Sequence, residues 1–376
     1  MSVWKRSSRK HKSRTIRAGK GEIVNFCTYQ LHAVERLLLA IESSCDDTSA
    51  AVLRGNRVLS NVVATQKLHE AYGGVVPELA SRAHQSNIVP TVHTALEQAG
   101  VTLDDLEGVA FTQGPGLMGS LLVGTSFAKS LAQARSLPVV GINHMEAHIL
   151  AHFIADTPNQ AMPDFPFLCL TVSGGHTQIV RVNSPTRFDV LGETTDDAAG
   201  EAFDKIAKIM GLPYPGGPLV DRNAMNGNPK AFAFPKSRVD GYGYSFSGLK
   251  TAVLYFLQKQ VKANPNFIAE NMEDLCASVQ HTIVETLMDK LVLAAEELGI
   301  TDVALAGGVS ANSGLRQTLR DVGKAKGWRT FIPAFQYCTD NAAMIGMAGQ
   351  FRLDAGQVAP LNAAPKARWT LESGRG

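Results

Sequence analysis

No uninterrupted apolar stretch in this 376-residue chain approaches the ~20 residues that a membrane-spanning helix needs, so no membrane role is expected. Cysteine is scarce. The five present (Cys27, Cys45, Cys169, Cys276 and Cys338) are scattered, odd in number and form no CxxC pair, which argues against a disulfide framework or a cysteine zinc site and fits a reducing compartment. The phosphate-loop pattern GxxxxGK[ST] is also missing. Acidic residues are absent from one region only: residues 1–20 carry eight Lys/Arg and no acid, whereas 28 basic residues face 34 acidic ones in 21–376. Behind the overall charge of +2 there is thus a body about six charges negative, which is no generic polyanion binder. It would meet nucleic acid through local patches or through partners. The extension 1–36 lacks the apolar core of a secretory signal. A targeting peptide, a disordered tail, or upstream sequence included through a misjudged start codon remain open for it.

What is present describes an ordinary soluble globular protein, 45% hydrophobic and 19% charged, long enough for roughly two to three domains. From Leu37 the chain reads as a buried strand (Leu37–Glu42), a polar turn, and two further strands around Ala51–Leu53 and Val58–Val63. A helix over Pro77–Gly100 follows, then a strand (Gly108–Thr112), a Gly-rich turn, a helix (Ser120–Arg135), a strand (Pro138–Ile142) and a helix from His144. Near Phe167 the order restarts, with an apolar strand from Phe167, a small polar turn, a strand entered through Thr177, and a third near Asp189–Glu193. Helices are expected at Ala198–Met210, Leu249–Val261 and Glu273–Leu298, then a strand at Asp302–Ala306, a helix from Asn312, a short strand near Phe331 and a last helix from about Thr339. Hairpins followed by alternating strands and helices predict a mixed sheet in each half. The repeated order suggests an internal duplication with a ligand cleft between the halves.

Several local patterns bear on chemistry. His144 and His148 stand four apart on an expected helix, so one face presents both imidazoles to a shared ion, and imidazole suits zinc, iron, nickel and copper better than calcium or magnesium. An incidental pair of surface histidines is the alternative, and His152 continues the same spacing. Protease chemistry is poorly supported: Met145 occupies the position a zinc protease gives to glutamate, and Glu146 lies about 200° around the helix from His144. Thr171-Val-Ser-Gly-Gly175 and Ala306-Gly-Gly-Val-Ser-Ala-Asn312 are glycine turns beside strands, where backbone amides and the Ser173 hydroxyl could approach an anion, or simply tight turns. Glu42 and Asp46 end the first strand, where carboxylates could order a metal, water or proton; Asp46-Asp47 also suits a turn. Asp204 reads alternatively as a solvated partner of Lys208. Pro215-Gly-Gly-Pro218 reads as a rigid turn leading to Asp221, and Asp340 as a first-turn acid of the last helix.

Taken together, Ile41-ESSCDDT48, Tyr72-GGVVPELASRAH84, Gln113-GPGL117, His144-MEAH148, Val172-SGGHTQ178, Gly200-EAFDK205, Tyr214-PGGP218, Ser245-FSGLKT251, Ala306-GGVSAN312 and Tyr337-CTDNAAMI345 resemble the TsaD family of tRNA N6-adenosine threonylcarbamoyltransferases, in its bacterial and organellar branch. The likeness spans about residues 37–370. It implies an α/β ASKHA (actin-like ATPase) fold of two duplicated RNase H-like lobes with mixed sheets, the first over 37–160 and the second, with a helical insertion, over 161–370. It implies transfer of threonylcarbamoyl from L-threonylcarbamoyladenylate to N6 of the adenosine at position 37, in tRNAs reading codons that begin with A, with release of AMP. By the same likeness His144, His148 and Asp340 would ligate one divalent metal, iron or zinc. Thr171, Val172, Ser173, Gly174, Gly175, Asp204, Gly217, Asp221 and Asn312 would contact the adenylate. Asp46 is the candidate for proton handling or donor positioning. The resemblance also implies a TsaB-like paralogue and a TsaE-like small ATPase as bacterial partners, and a cytoplasmic location, or a mitochondrial one if the extension is a transit peptide. The alternative function is an ATPase or kinase on the same fold.

Overall fold

The run Leu37–Glu42 is buried at every position, as a central strand covered on both faces must be. The computed structural model describes residues 35–371 apart from 67, 68, 70, 71, 73 and 159, and the basic extension up to residue 34 lies outside the described residues. The elements below belong to one compact unit, Ala33–Gly376.

Strand β1 (Leu37–Glu42) pairs antiparallel with β2 (Thr48–Arg54), and β2 with the half-exposed β3 (Arg57–Ala64). On its other side β1 runs parallel to β4 (Gly108–Gly114), and β4 to β5 (Val139–Asn143), giving the order β3-β2-β1-β4-β5. Alternate residues of β1 face opposite ways. Leu37, Leu39 and Ile41 share a core with α1 (Pro77–Ala99) and α2 (Met118–Arg135). Leu38 and Ala40 face α10 (Ala342–Asp354), the last helix among the described residues. Gly346 and Gly349 of α10 sit so close to Leu53 and Ala110 that a methyl group would collide with either.

The second sheet repeats this plan. Strands β6 (Phe167–Val172), β7 (Thr177–Ser184) and β8 (Arg187–Glu193) form the antiparallel side, while β9 (Asp302–Ala306) and β10 (Arg329–Phe331) extend it in parallel. Its order, β8-β7-β6-β9-β10, matches the first sheet strand for strand. This mixed, repeated arrangement is the ASKHA architecture. Helices α4 (Ala199–Ile209), α5 (Gly216–Ala224), α6 (Ser247–Ala263), α7 (Phe267–Glu270), α8 (Met272–Leu298) and α9 (Ser313–Lys326) accompany it, and Leu168, Leu170 and Val172 share their core. Among the described residues no helix is long and apolar enough to cross a membrane.

Helix α3 (His144–Leu150) is buried at all seven positions because it lies between the two sheets, touching β4, β5, β6, β9 and α10. Asn143 caps it, accepting the amides of Met145 and Glu146, and donates from Nδ2 to the Trp369 carbonyl at 3.3 Å. In the 3₁₀ turn that follows, His152 Nε2 donates to the Leu305 carbonyl of β9 at 2.8 Å, so this histidine joins the halves rather than extending a ligand stripe.

Two sequence expectations need correction. The segment from Pro215 is no mere turn: Gly216 opens α5, and Asp221 lies on that helix. The last helix begins at Ala342, not Thr339, because Asn341 caps it through the Met344 amide; Asp340 thus precedes the helix rather than occupying its first turn.

Candidate functional site

His144 and His148 are 8% and 2% exposed, which rules out the surface-pair alternative. One helical turn brings their rings to 4.7 Å, edge to face. Asp340 arrives from the loop before α10, its Oδ1 lying 3.2 Å from His144 Nε2 and 3.3 Å from His148 Nε2. The three donor atoms all lie within 4.8 Å of one another, so this group could hold a metal ion. A tetrahedral ion with ligand bonds of about 2.0–2.1 Å spaces its donors about 3.3 Å apart, so the donor set fits.

Behind His144 stands Glu42, fully buried at the end of β1. Its carboxylate receives His144 Nδ1 at 3.0 Å and also binds the Thr112 hydroxyl and the Ser44 amide. A carboxylate on the far nitrogen fixes the ring and turns Nε2 toward Asp340, the usual support for a metal-binding histidine. The electrostatics agree. Burial alone would raise the Glu42 and Asp340 carboxyls, yet His144 beside both holds them below the usual carboxylate range. Burial disfavours the charged imidazole, but Asp340 and Glu42 together hold His144 well above its ordinary value. His148, with less carboxylate support, is pushed down by burial. The two carboxylates demand a positive charge between them, and a dication could replace the proton. From the sequence Glu42 was one of several acids near a turn; that it ends a wholly buried strand was the signal for its role.

Asp46 is half-buried in the bend after β1, and its charge helps to raise the Tyr214 phenol after burial and Asp204. Beside it the Asp47 carboxyl is pushed up to about 6, by burial first and then by Asp46 and Asp340. Lys250 and Arg82 lie against Asp197 and Glu78.

A cleft of ≈ 740 Å³, counting the part open to solvent, is lined by Gly174, Asp204, Gly217, Asp221, Gly308 and Asn312 among others. Five of the nine expected adenylate residues are therefore together, and their polar side chains brace the pocket walls. Asp204 Oδ1 accepts the Gly216 and Gly217 amides at 2.8 and 2.9 Å, capping α5, so the Lys208 pairing is not its role. Asp221 accepts the Ser313 amide and hydroxyl at the start of α9. Asn312 caps α9 through the Leu315 amide and donates to Gln280 at 2.7 Å. Both helix starts border the cleft, and each already carries a carboxylate, Asp204 at that of α5 and Asp221 at that of α9. Thr171 and Val172 bury their side chains in β6, leaving backbone alone for any contact. Ser173 Oγ accepts the Gly175 and His176 amides, so that hydroxyl closes its own turn. His176 of the same turn is pushed down by burial and then by His144 and His148.

The second glycine turn is demanding. Gly307 has φ 84°, and a Cβ there would meet the Val172 carbonyl oxygen at 2.5 Å, so only glycine fits.

The family model described as TsaD, tRNA N6-adenosine threonylcarbamoyltransferase, matches residues 57–347. The tRNA N6-adenosine threonylcarbamoyltransferase of Christiangramia forsetii is 63% identical over 312 residues, 83% of this chain and 92% of that one. That of Riemerella anatipestifer is 56% identical over 337 residues, 90% and 98% of the two chains. Among solved structures, full-length HypF in its phosphate- and nucleotide-bound form is similar with a TM-score of 0.57 at 14% identity, covering 86% of this chain and 47% of that one, a likeness of fold alone. The chain, matched over most of its length by the family model and by both bacterial enzymes, belongs to the TsaD family of tRNA N6-adenosine threonylcarbamoyltransferases.

Proposed function

We propose that this chain transfers the threonylcarbamoyl group of L-threonylcarbamoyladenylate to N6 of the adenosine at position 37 of tRNAs reading codons that begin with A. The observation that carries this reading is the convergence of His144, His148 and Asp340 beside the turn whose Gly174 lines the cleft. The donor brings its own leaving group, so no covalent nucleophile is required. A bond forms between N6 and the carbamoyl carbon, the bond from that carbon to the phosphate oxygen breaks, AMP leaves with the electron pair, and N6 gives up a proton.

The residues divide this work. Gly174, Gly217, Asp221 and Asn312 hold the adenylate. Asp204 keeps the α5 start in place, and backbone from Thr171 to Gly175 shapes the wall nearest the triad. Asp46 takes up the N6 proton. His144, His148 and Asp340 would hold iron or zinc, which suits two imidazoles and a carboxylate and would supply Lewis-acid stabilisation of negative charge on the donor. An anticodon-loop base can be splayed out to reach such a cleft. By analogy with bacterial relatives, the working assembly includes a TsaB-like paralogue and a TsaE-like ATPase, in the cytoplasm.

The test is an assay with partner proteins, L-threonylcarbamoyladenylate and tRNA, read by mass spectrometry of the tRNA nucleosides. His144→Ala is expected to lose bound metal and modified nucleoside together. Undiminished product from metal-free His144→Ala would defeat the assignment of the triad.

A further inference from the structure

Arg316 on α9 is 7% exposed, yet its hydrogen-bond partners among the described residues are all neutral. Its Nε donates to the Ser310 carbonyl at 2.7 Å, and one terminal nitrogen donates to the Pro333 carbonyl and approaches Cys338 Sγ at 3.5 Å. The guanidinium carbon lies 4.0 Å from the centre of the Phe335 ring. A buried cation is costly unless its donors are satisfied, and an apolar side chain would fill the same space without that cost. What the planar fork can do, and an apolar group cannot, is fix several separate backbone points in one geometry.

The points it fixes belong to two different parts of the site. Ser310 lies in the 3₁₀ turn Gly308–Ala311, whose Gly308, Val309 and Ala311 line the cleft. Pro333, Phe335 and Cys338 form the loop that delivers Asp340 two residues after Cys338. The same loop is anchored further by Tyr337, whose hydroxyl donates to Asp156 at 2.7 Å. A change in either loop therefore reaches the other through one rigid group.

Building on the function proposed above, we propose that Arg316 is a positioning residue that couples the nucleoside cleft to the Asp340 ligand loop, so that nucleoside and metal raise each other's affinity. Coupling of this kind is reciprocal: each ligand tightens the other by the same factor, typically about 5–150-fold.

The experiment uses the purified full-length chain, with Zn²⁺ affinity measured by competition with a chromophoric chelator and adenosine affinity by calorimetry. Adenosine rather than AMP is the probe, because without a phosphate no direct attraction to the ion enters. In the wild type, adenosine should tighten Zn²⁺ and Zn²⁺ should tighten adenosine by an equal factor of about 5 or more. Arg316→Met removes the fork at similar volume, and Arg316→Lys keeps the charge in a more conservative variant should the first fail to fold. Both are expected to bring the factor close to one while each ligand still binds alone. An unchanged factor in either folded variant, or wild-type binding of both ligands without coupling, overturns the proposal. A wild type that binds neither adenosine nor Zn²⁺ overturns the functional reading itself.

Discussion

Glu42 shows how much of the triad's geometry is set from behind. Glu42→Gln keeps the shape of the side chain but turns a charged acceptor for His144 Nδ1 into a neutral one. Loss of such an outer carboxylate commonly weakens metal binding by about 10–100-fold, and chelator competition should find a fall of that order in Zn²⁺ affinity. Asp47 poses a different problem. Its folded pKa is raised to about 6 by burial and by Asp46 and Asp340, so the protonated form favours the folded state. Stability drawn from that preference is present at low pH and is lost as pH rises through about 6. With a chelator present, Asp47→Asn should therefore be more stable than the wild type at pH 8, with the difference shrinking toward pH 4.5. Urea denaturation at the two pH values measures this, and an advantage larger at pH 4.5 contradicts it.

The helices that border the cleft are stabilised at their starts by residues distant in sequence. Asp204 on α4 caps α5, and Asp221 on α5 caps α9. Removing the first link with Asp204→Ala should cost about 0.5–2 kcal/mol in urea denaturation and weaken adenosine binding measured by calorimetry. The same arrangement explains what could be read from the sequence. Strands β1 and β9 were legible to the residue, since a fully buried strand is a short apolar run with sharp polar ends. Helix α5 was not, because Gly216, Gly217 and Pro218 are poor helix formers and the acid that caps them sits on another element. The HxxxH pair was visible as spacing, whereas Asp340 entered only through resemblance to a family. Spacing cannot reveal a ligand that tertiary folding brings from near the other end of the chain. Arg316 carried no local signal either, because its partners are main-chain carbonyls, which any sequence supplies.

At the scale of the molecule, the face of the first sheet opposite α1 and α2 is covered by α10, which also follows directly on the Asp340 loop. Gly346→Val would force atoms into Leu53 and Ala40, and an overpacked core typically loses about 1–3 kcal/mol. Because α10 begins two residues after Asp340, the variant should lower thermal stability and Zn²⁺ affinity together; loss of stability with unchanged affinity would separate helix packing from the triad. The position of α10 also governs how the protein emerges from the ribosome. Strands β1 to β3 are made early, but the helix that shields Leu38 and Ala40 follows them by most of the chain. At about 5–20 residues per second, that apolar surface stays uncovered for on the order of tens of seconds. A nascent chain of this design therefore has a period of exposure that lasts at least until α10 has been made.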